Sequence, residues 1–304
     1  MLAGAQLGVL ALAVLARPTG RGAQRAPAPL RAVGAAGEPE AALPRSVVEI
    51  SQQAALAALA ALDNGHSRLQ INLRSSEEPL AFGLSERAFS PLCEVLNSLA
   101  HVLASRGERV RLFFTSVQLA EHACRVINLE PLAGSILIDV LGIGRLTRDD
   151  DVCMLVTPFN TGCAADSHVL GGIQELLLQA NKRTVVLINP ELEAVAAASL
   201  SSRHRVRPMF MADFVHAFHF ECGRRRASDG QPGLLALYRR YPRDWQVHRK
   251  EALAPWFTHV LSTRQLPRAG QLDALIYERQ RLRLASADED GGGERGAEVL
   301  DIDE

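Results

Sequence analysis

Apolar and polar positions along the chain change period several times, and each change marks an element. From Ser46 the apolar residues recur at helical spacing through SVVEISQQAALAALAALDNG. Ser46 and Glu49 are placed as a capping box at its start, and Asn64-Gly65 supplies the stop. SRLQINL then alternates as a strand. SPLCEVLNSLAHVLASRG returns to helical spacing, with Ser90 predicted as the cap, Pro91 in the first turn and Gly107 at the end. RVRLFFTS reads as a strand, the stretch from about Gln118 to Ile127 as a short helix, and SILIDVL as a strand. Val152 to Thr157 follows as a strand, Asp166 to Ala180 as a helix, and RTVVLINP as a strand.

Short, almost wholly apolar strands separated by helices belong in a parallel sheet covered on both faces. After Ser202 the grammar changes. FMADFVHAFHF and GLLALYRRY are two strand-like runs joined only by a polar loop containing Ser228-Asp229-Gly230, which predicts an antiparallel ribbon at the sheet edge. WFTHVLS adds a strand, and LDALIYERQRLRLA closes as a helix with Leu272, Leu275, Ile276 and Leu282 near one face. The expectation is a single α/β domain over residues 44–285. Its sheet is Rossmann-like and mixed, mainly parallel with an antiparallel C-terminal edge, and has helices on both faces. No internal repeat is present.

Composition adds the two ends. No Asp or Glu occurs before Glu38, while Arg17, Arg21, Arg25 and Arg31 recur among Ala, Gly and Pro, so residues 1–43 read as an organelle transit peptide. The rival reading is a secretory signal built on LGVLALAVLA, but no positive charge precedes that run. Residues 286–304 carry eight acids against one Arg and are expected to be a disordered tail. The net charge of −1 argues against a protein built as a whole to hold nucleic acid. The five cysteines are odd in number and form no C-x-x-C, so buried free thiols in a reducing compartment are a better reading than a disulfide framework or zinc ribbon. No stretch reaches the ~18 apolar residues of a membrane-spanning helix.

Candidate chemistry lies at strand ends. Thr157, Pro158 and Asn160 follow one predicted strand, and Asn189 and Pro190 follow the next. In open α/β sheets ligands collect beyond such carboxyl ends, so these five residues are a candidate ligand rim, with ordinary turn chemistry as the alternative. The triple aspartate Asp149 to Asp151 precedes its strand and reads as a charged turn. LGIGRL offers Gly142 and Gly144 but Thr147 where a third glycine is required, and no phosphate loop or nucleophile elbow occurs, so no cofactor is expected. His216 and His219, with Cys222 nearby, would face opposite sides of a regular strand, and no metal is expected there. Arg224, Arg225 and Arg226 precede Ser228 as in a phosphorylation site, although a solvated loop is the better account of the run.

GLLALYRRYPRDWQV resembles the signature of a plastid family labelled as domain of unknown function nineteen-ninety-five, which includes low-photosystem-II-accumulation proteins and plastid adenylate-kinase fusions. The matching residues are Gly233, Leu234, Leu235, Arg240, Tyr241, Pro242, Trp245, Gln246 and Val247. DDDVCMLVTP and VVLINPEL match in order and spacing. The resemblance implies a chloroplast protein, stromal or at the thylakoid surface, and for some members a part in photosystem assembly. It implies no catalytic residue, and no kinase activity transfers. In structural terms Tyr241-Pro242 is expected to end a strand and Trp245 to fold back as a packing anchor.

From Arg203 to Lys250 there are eleven Arg/Lys against four Asp/Glu. Arg224, Arg225, Arg226, Arg239, Arg243, Arg249 and Lys250 are therefore the candidate interaction surface for an acidic protein partner or an anionic thylakoid surface. The expectation is a non-enzymatic protein of photosynthetic-complex biogenesis or maintenance. The competing class is a Rossmann-like enzyme or small-molecule binder using the rim at Asn160 and Asn189.

Overall fold

The computed structural model describes residues 43–75, 82, 86–130, 132, 134–163, 167–194, 206–226, 232–250, 256–267 and 272. They lie in the unit Leu43–Glu304. The expected leader (1–43) apart from Leu43, the acidic tail and all of the closing helix except Leu272 fall outside the described residues. So do the side chains of Arg225 and Arg226.

Helix α1 (Val47–Asp63) starts where its cap predicts. Ser46 Oγ accepts the Glu49 N–H at 3.1 Å, and Glu49 Oε2 accepts the N–H of Arg45 at 2.7 Å, one residue outside the usual box. β1 (Arg68–Ser75) follows. α2 (Glu86–Ala104) begins a turn earlier than Ser90, with Pro91 inside it, which corrects the predicted cap. Phe89 explains the extension. It is fully buried edge-on to Phe114 and His122, so packing draws the first turn into the core while the proline forgoes one intrahelical bond.

β2 (Val110–Phe114), α3 (Val117–Val126, capped by Ser116), β3 (Ile136–Val140), β4 (Val152–Val156), α4 (Ser167–Ala180) and β5 (Thr184–Ile188) fall where the pattern placed them. A 3-10 turn, Met209–Asp213, occupies part of what reads as strand in FMADFVHAFHF. Its Met211, with Phe214 just beyond it, is drawn into the apolar cluster beneath α4. β6 (Val215–Arg226) and β7 (Pro232–Arg240) come next, then β8 (Trp245–Lys250) and β9 (Phe257–Thr263). At Trp245 the chain does fold back and bury the ring, and it does so as a full strand, β8, antiparallel to β7, which the sequence pattern did not separate out.

The nine strands form one sheet in the order β3-β2-β4-β5-β1-β6-β7-β8-β9. β1 to β6 are mutually parallel, and β6 to β9 run antiparallel to one another. β6 thus belongs to both halves, joining β1 in parallel and β7 in antiparallel. One face carries Val185, Leu187, Cys153 and Leu155 against Ile173 and Leu176 of α4. The other carries Phe218, Phe220 and Tyr238 beneath α1, where the Tyr238 hydroxyl donates to Gln53 Oε1. Both faces are covered, as near-continuous apolar strands require.

Candidate functional site

The junction of the two halves holds a cluster of buried polar side chains. In the β1–β6 register Gln70 lies opposite His216, but Ile71 lies opposite Phe218, so Ala217 is an unmatched bulge residue. The bulge turns His216 and His219 to the same face, their ring centroids 6.2 Å apart. This overturns the expectation of opposite faces, which assumed unbroken alternation. Asn72 Nδ2 lies 3.0 Å from His219 Nδ1 and 3.4 Å from His216 Nδ1. Gln70 Nε2 donates to Asn72 Oδ1 at 3.0 Å and so aims the Asn72 amide N–H groups at the imidazoles. His219 Nδ1 therefore accepts, and its proton sits on Nε2, 3.4 Å from Glu221 Oε2. Among the described residues no group of three or more His, Cys, Asp or Glu is placed to hold a metal.

The YPRDWQV signature closes this cluster. The Tyr241 N–H donates to the bulge carbonyl of Ala217 at 2.8 Å, and the Arg243 N–H to Arg240 O at 2.8 Å. With cis-Pro242 between them this is a type VI turn. The Tyr241 hydroxyl reaches His66 Nε2 at 3.1 Å and Asn64 Nδ2 at 3.3 Å, beyond the end of α1. The turn delivers Trp245 over both histidines, 5.2 Å from the His216 ring and 5.0 Å from the His219 ring. Trp245 is 1% exposed, and the Arg239 guanidinium stacks 5.2 Å from its ring. Gln246 and His248 pair on the other face at 3.2 Å, and Val247 joins Trp245, Leu237 and Leu272 in a second apolar cluster.

Both imidazoles are held neutral. Burial pushes His216 down to about 3, assisted by the charges of His219, Arg207 and Arg239. Burial also lowers His219, against the raising influence of Glu221, with Arg74 and Arg207 adding to the fall. On the opposite face burial, with His259 nearby, holds His248 at about 4.

Beside the cluster, at the carboxyl ends of β1 and β6, opens a cavity of about 350 Å³. Arg74, Ser75, Glu221 and Arg224 line it on the polar side; Leu235, Leu237, Val247 and Leu272 line the apolar side. Residue alternation alone does not reveal this space, because its position depends on the bulge and on Gly223.

The strand-end rim is built otherwise than as open donors. β4 and β5 are parallel neighbours, so their following residues do share one edge. Thr157 and Asn189 both take left-handed backbone, φ 47° each, directly after their strands. Asn160 binds the Glu193 backbone twice at 2.8 Å, through Oδ1 and Nδ2, and Asn189 Oδ1 accepts the Leu73 N–H. The Thr157 hydroxyl is buried without a hydrogen-bond partner. Pro158 and Pro190 sit beside them, their carbonyls accepting from the Glu191 N–H and from Arg74. Both amides therefore serve the backbone.

Register also divides the basic residues. Arg224, Leu234 and Lys250 form one cross-strand row near the β6–β7 hairpin tip, and Arg225 and Arg249 lie in the adjacent rows there. Arg239, Arg240 and Arg243 lie at the other end, around the Tyr241-Pro242 turn. About six residues of strand, roughly 20 Å, separate the two groups. Lys250 is stacked on Trp256 together with Arg45.

The triple aspartate is a structural clamp. Asp150 takes Arg111 Nε at 2.8 Å and accepts from the N–H and hydroxyl of Thr147, Asp149 pairs with Arg109, and Asp151 accepts the Arg109 N–H.

A family model described as a domain of unknown function (DUF1995) matches residues 44–274. No curated protein matches the chain.

Proposed function

The chain belongs to the DUF1995 family, and from that premise we propose a non-enzymatic plastid protein. It acts in the biogenesis or maintenance of photosynthetic complexes by binding an acidic protein partner. The observation that carries this reading is the basic end of the β6–β7–β8 ribbon, where the register sets Arg224 and Lys250 in one cross-strand row and Arg225 and Arg249 in the rows on either side of it, with Arg226 next along β6. Both basic groups are partly tied into the fold, Lys250 of the tip by its stacking on Trp256. Arg239 is half-buried on Trp245, and the Tyr241 turn is tied to α1 through His66 and Asn64.

A protein partner fits the tip better than a lipid surface. Each Arg or Lys near an anionic membrane contributes about 1 kcal/mol, so the five at the tip give at most about 5 kcal/mol. That corresponds to a dissociation constant of about 0.2 mM, too weak to act alone. Among the described residues no helix is long and apolar enough to cross a membrane and supply a second anchor. Carboxylates facing arginines one to one form directed, bidentate pairs instead.

Affinity purification from fractionated plastids tests the reading, comparing the wild-type chain with the triple variant Arg224→Glu, Arg225→Glu, Arg226→Glu. The expected result is an acidic protein retained by the wild type at low salt and lost by the variant. Binding of the wild type to phosphatidylglycerol vesicles with micromolar affinity, or a partner retained by the variant, contradicts it. Plastid residence is tested by fusing residues 1–43 to a fluorescent protein; fluorescence outside plastids contradicts it.

A further inference from the structure

We propose that the acidic segment 286–304 of this chain docks on the basic end of the β6–β7–β8 ribbon and screens it until an acidic partner displaces it. This contact is a second, internal use of the same surface, and so it rests on the tip reading above. The segment itself lies outside the described residues.

Charge complementarity selects this occupant. The segment carries eight acids against Arg295, a net charge of −7. At the basic end the register gathers Arg224, Arg225, Arg226, Arg249 and Lys250 from two strands that flank β7. Asp229 and Glu251 in the adjoining connections reduce those five charges to a net +3. The opposite end of the ribbon, with Arg239, Arg240 and Arg243 against Asp244, has a net +2. The chain's other acidic run, Asp149 to Asp151, is no rival occupant, because Arg109 and Arg111 already hold it.

The tether starts beside this surface. Leu272 is 3% exposed and packs with Leu237, Trp245 and Val247, and it shares the wall of the cavity with Gly223 and Arg224. Arg249 stands two residues beyond Val247 on β8, about 7 Å along the strand. Sixteen residues lead from Leu272 to Asp288. Even at a helical rise of about 1.5 Å per residue they span about 24 Å, so the acids reach the basic end. A tether of that reach holds its end at roughly millimolar effective concentration. Five exposed charge pairs at the upper end of their usual strength correspond to a dissociation constant of about 0.2 mM. The segment therefore weakens an acidic ligand from solution by about twofold to fivefold at low salt, and salt erases the effect.

The sequence holds two lysines, Lys182 and Lys250, which makes zero-length carbodiimide coupling a direct probe of the contact. Lys250 belongs to the basic end, where β6 finishes; Lys182 lies between α4 and β5, where a strand parallel to β6's partner begins. In the full chain at low salt, peptide mapping of the monomer should find carboxylates of residues 286–304 joined to Lys250 and not to Lys182. Fluorescein-labelled decaglutamate gives the second readout. The full-length variant Asp288→Asn, Glu289→Gln, Asp290→Asn, Asp301→Asn, Asp303→Asn, Glu304→Gln should bind it about twofold to fivefold more tightly than the wild type. Equal binding by the two chains, coupling to Lys182 alone, or coupling only between separate molecules overturns the proposal and leaves the tip reading standing. Decaglutamate binding by neither chain overturns both.

Discussion

His216 sets a pH dependence that can be worked from the structure. Its imidazole is buried under Trp245 with Arg207 and Arg239 nearby, and its pKa falls from 6.5 to about 3. Between those values the unfolded chain takes a proton that the folded chain refuses. Stability is therefore full above about pH 6.5, declines as the pH falls through that value, and stops declining only below about 3. From pH 7 to pH 5 the unfolded histidine goes from mostly neutral to almost fully protonated, and the linkage integral comes to at most about 2 kcal/mol. Total stabilities are only about 5–15 kcal/mol, so the effect is measurable. His219 and His248 shift in the same direction and steepen the slope. His216→Gln removes one proton from this balance. In urea titrations at pH 7 and pH 5, the variant should lose up to about 2 kcal/mol less than the wild type on acidification. Equal losses in the two proteins would refute the claim that His216 is held neutral by burial.

Three further outcomes follow from other parts of the fold. Trp245→Ala removes the fully buried roof of the histidine pair and should cost about 3–5 kcal/mol in urea unfolding, whereas Trp245→Phe should cost less than half of that. Asp150→Ala takes two hydrogen bonds from Arg111, whose side chain is 12% exposed and keeps only Asp139 at 3.1 Å, and should cost about 1.5–3 kcal/mol. Burial raises Asp150, but its bonds from Arg111 and Thr147 outweigh that and hold it below the usual carboxylate value, so its contribution is present above about pH 4 and is lost at more acid pH. Gly144→Ala places a Cβ 1.9 Å from Asp139 Cγ and should lower the melting temperature measurably, while Gly171→Ala, with nothing within 4 Å, should not.

Periodicity located the strands well because most are buried on both faces and are bounded by turn residues. It put Thr157 and Asn189 directly after successive strands, and the fold makes those strands, β4 and β5, parallel neighbours, so the two residues share one edge. What those side chains hold was not legible, since Glu193 and Leu73 reach them only through the tertiary fold. The histidine pair was misplaced for a definite reason. Alternation counts every residue, and the bulge at Ala217 removes one from the count without leaving any chemical mark. The fold alone shows the link: the Tyr241 N–H donates to the carbonyl of Ala217, so the turn and the bulge belong to one device. The basic run likewise reads as one surface along the chain, yet the hairpin places its members at two ends of a ribbon.

The central claim is that the basic tip works in photosynthetic-complex biogenesis, and complementation tests it most directly. Native cells lacking the chain are supplied with the wild type, with the Arg224–Arg226 glutamate variant, or with Arg240→Glu, Arg243→Glu at the opposite end of the ribbon. Photosystem content per chlorophyll is then measured at matched protein abundance. The account predicts recovery with the wild type and the turn variant, and none with the tip variant. Full recovery with the tip variant, or no loss of photosystems in the cells lacking the chain, would contradict it.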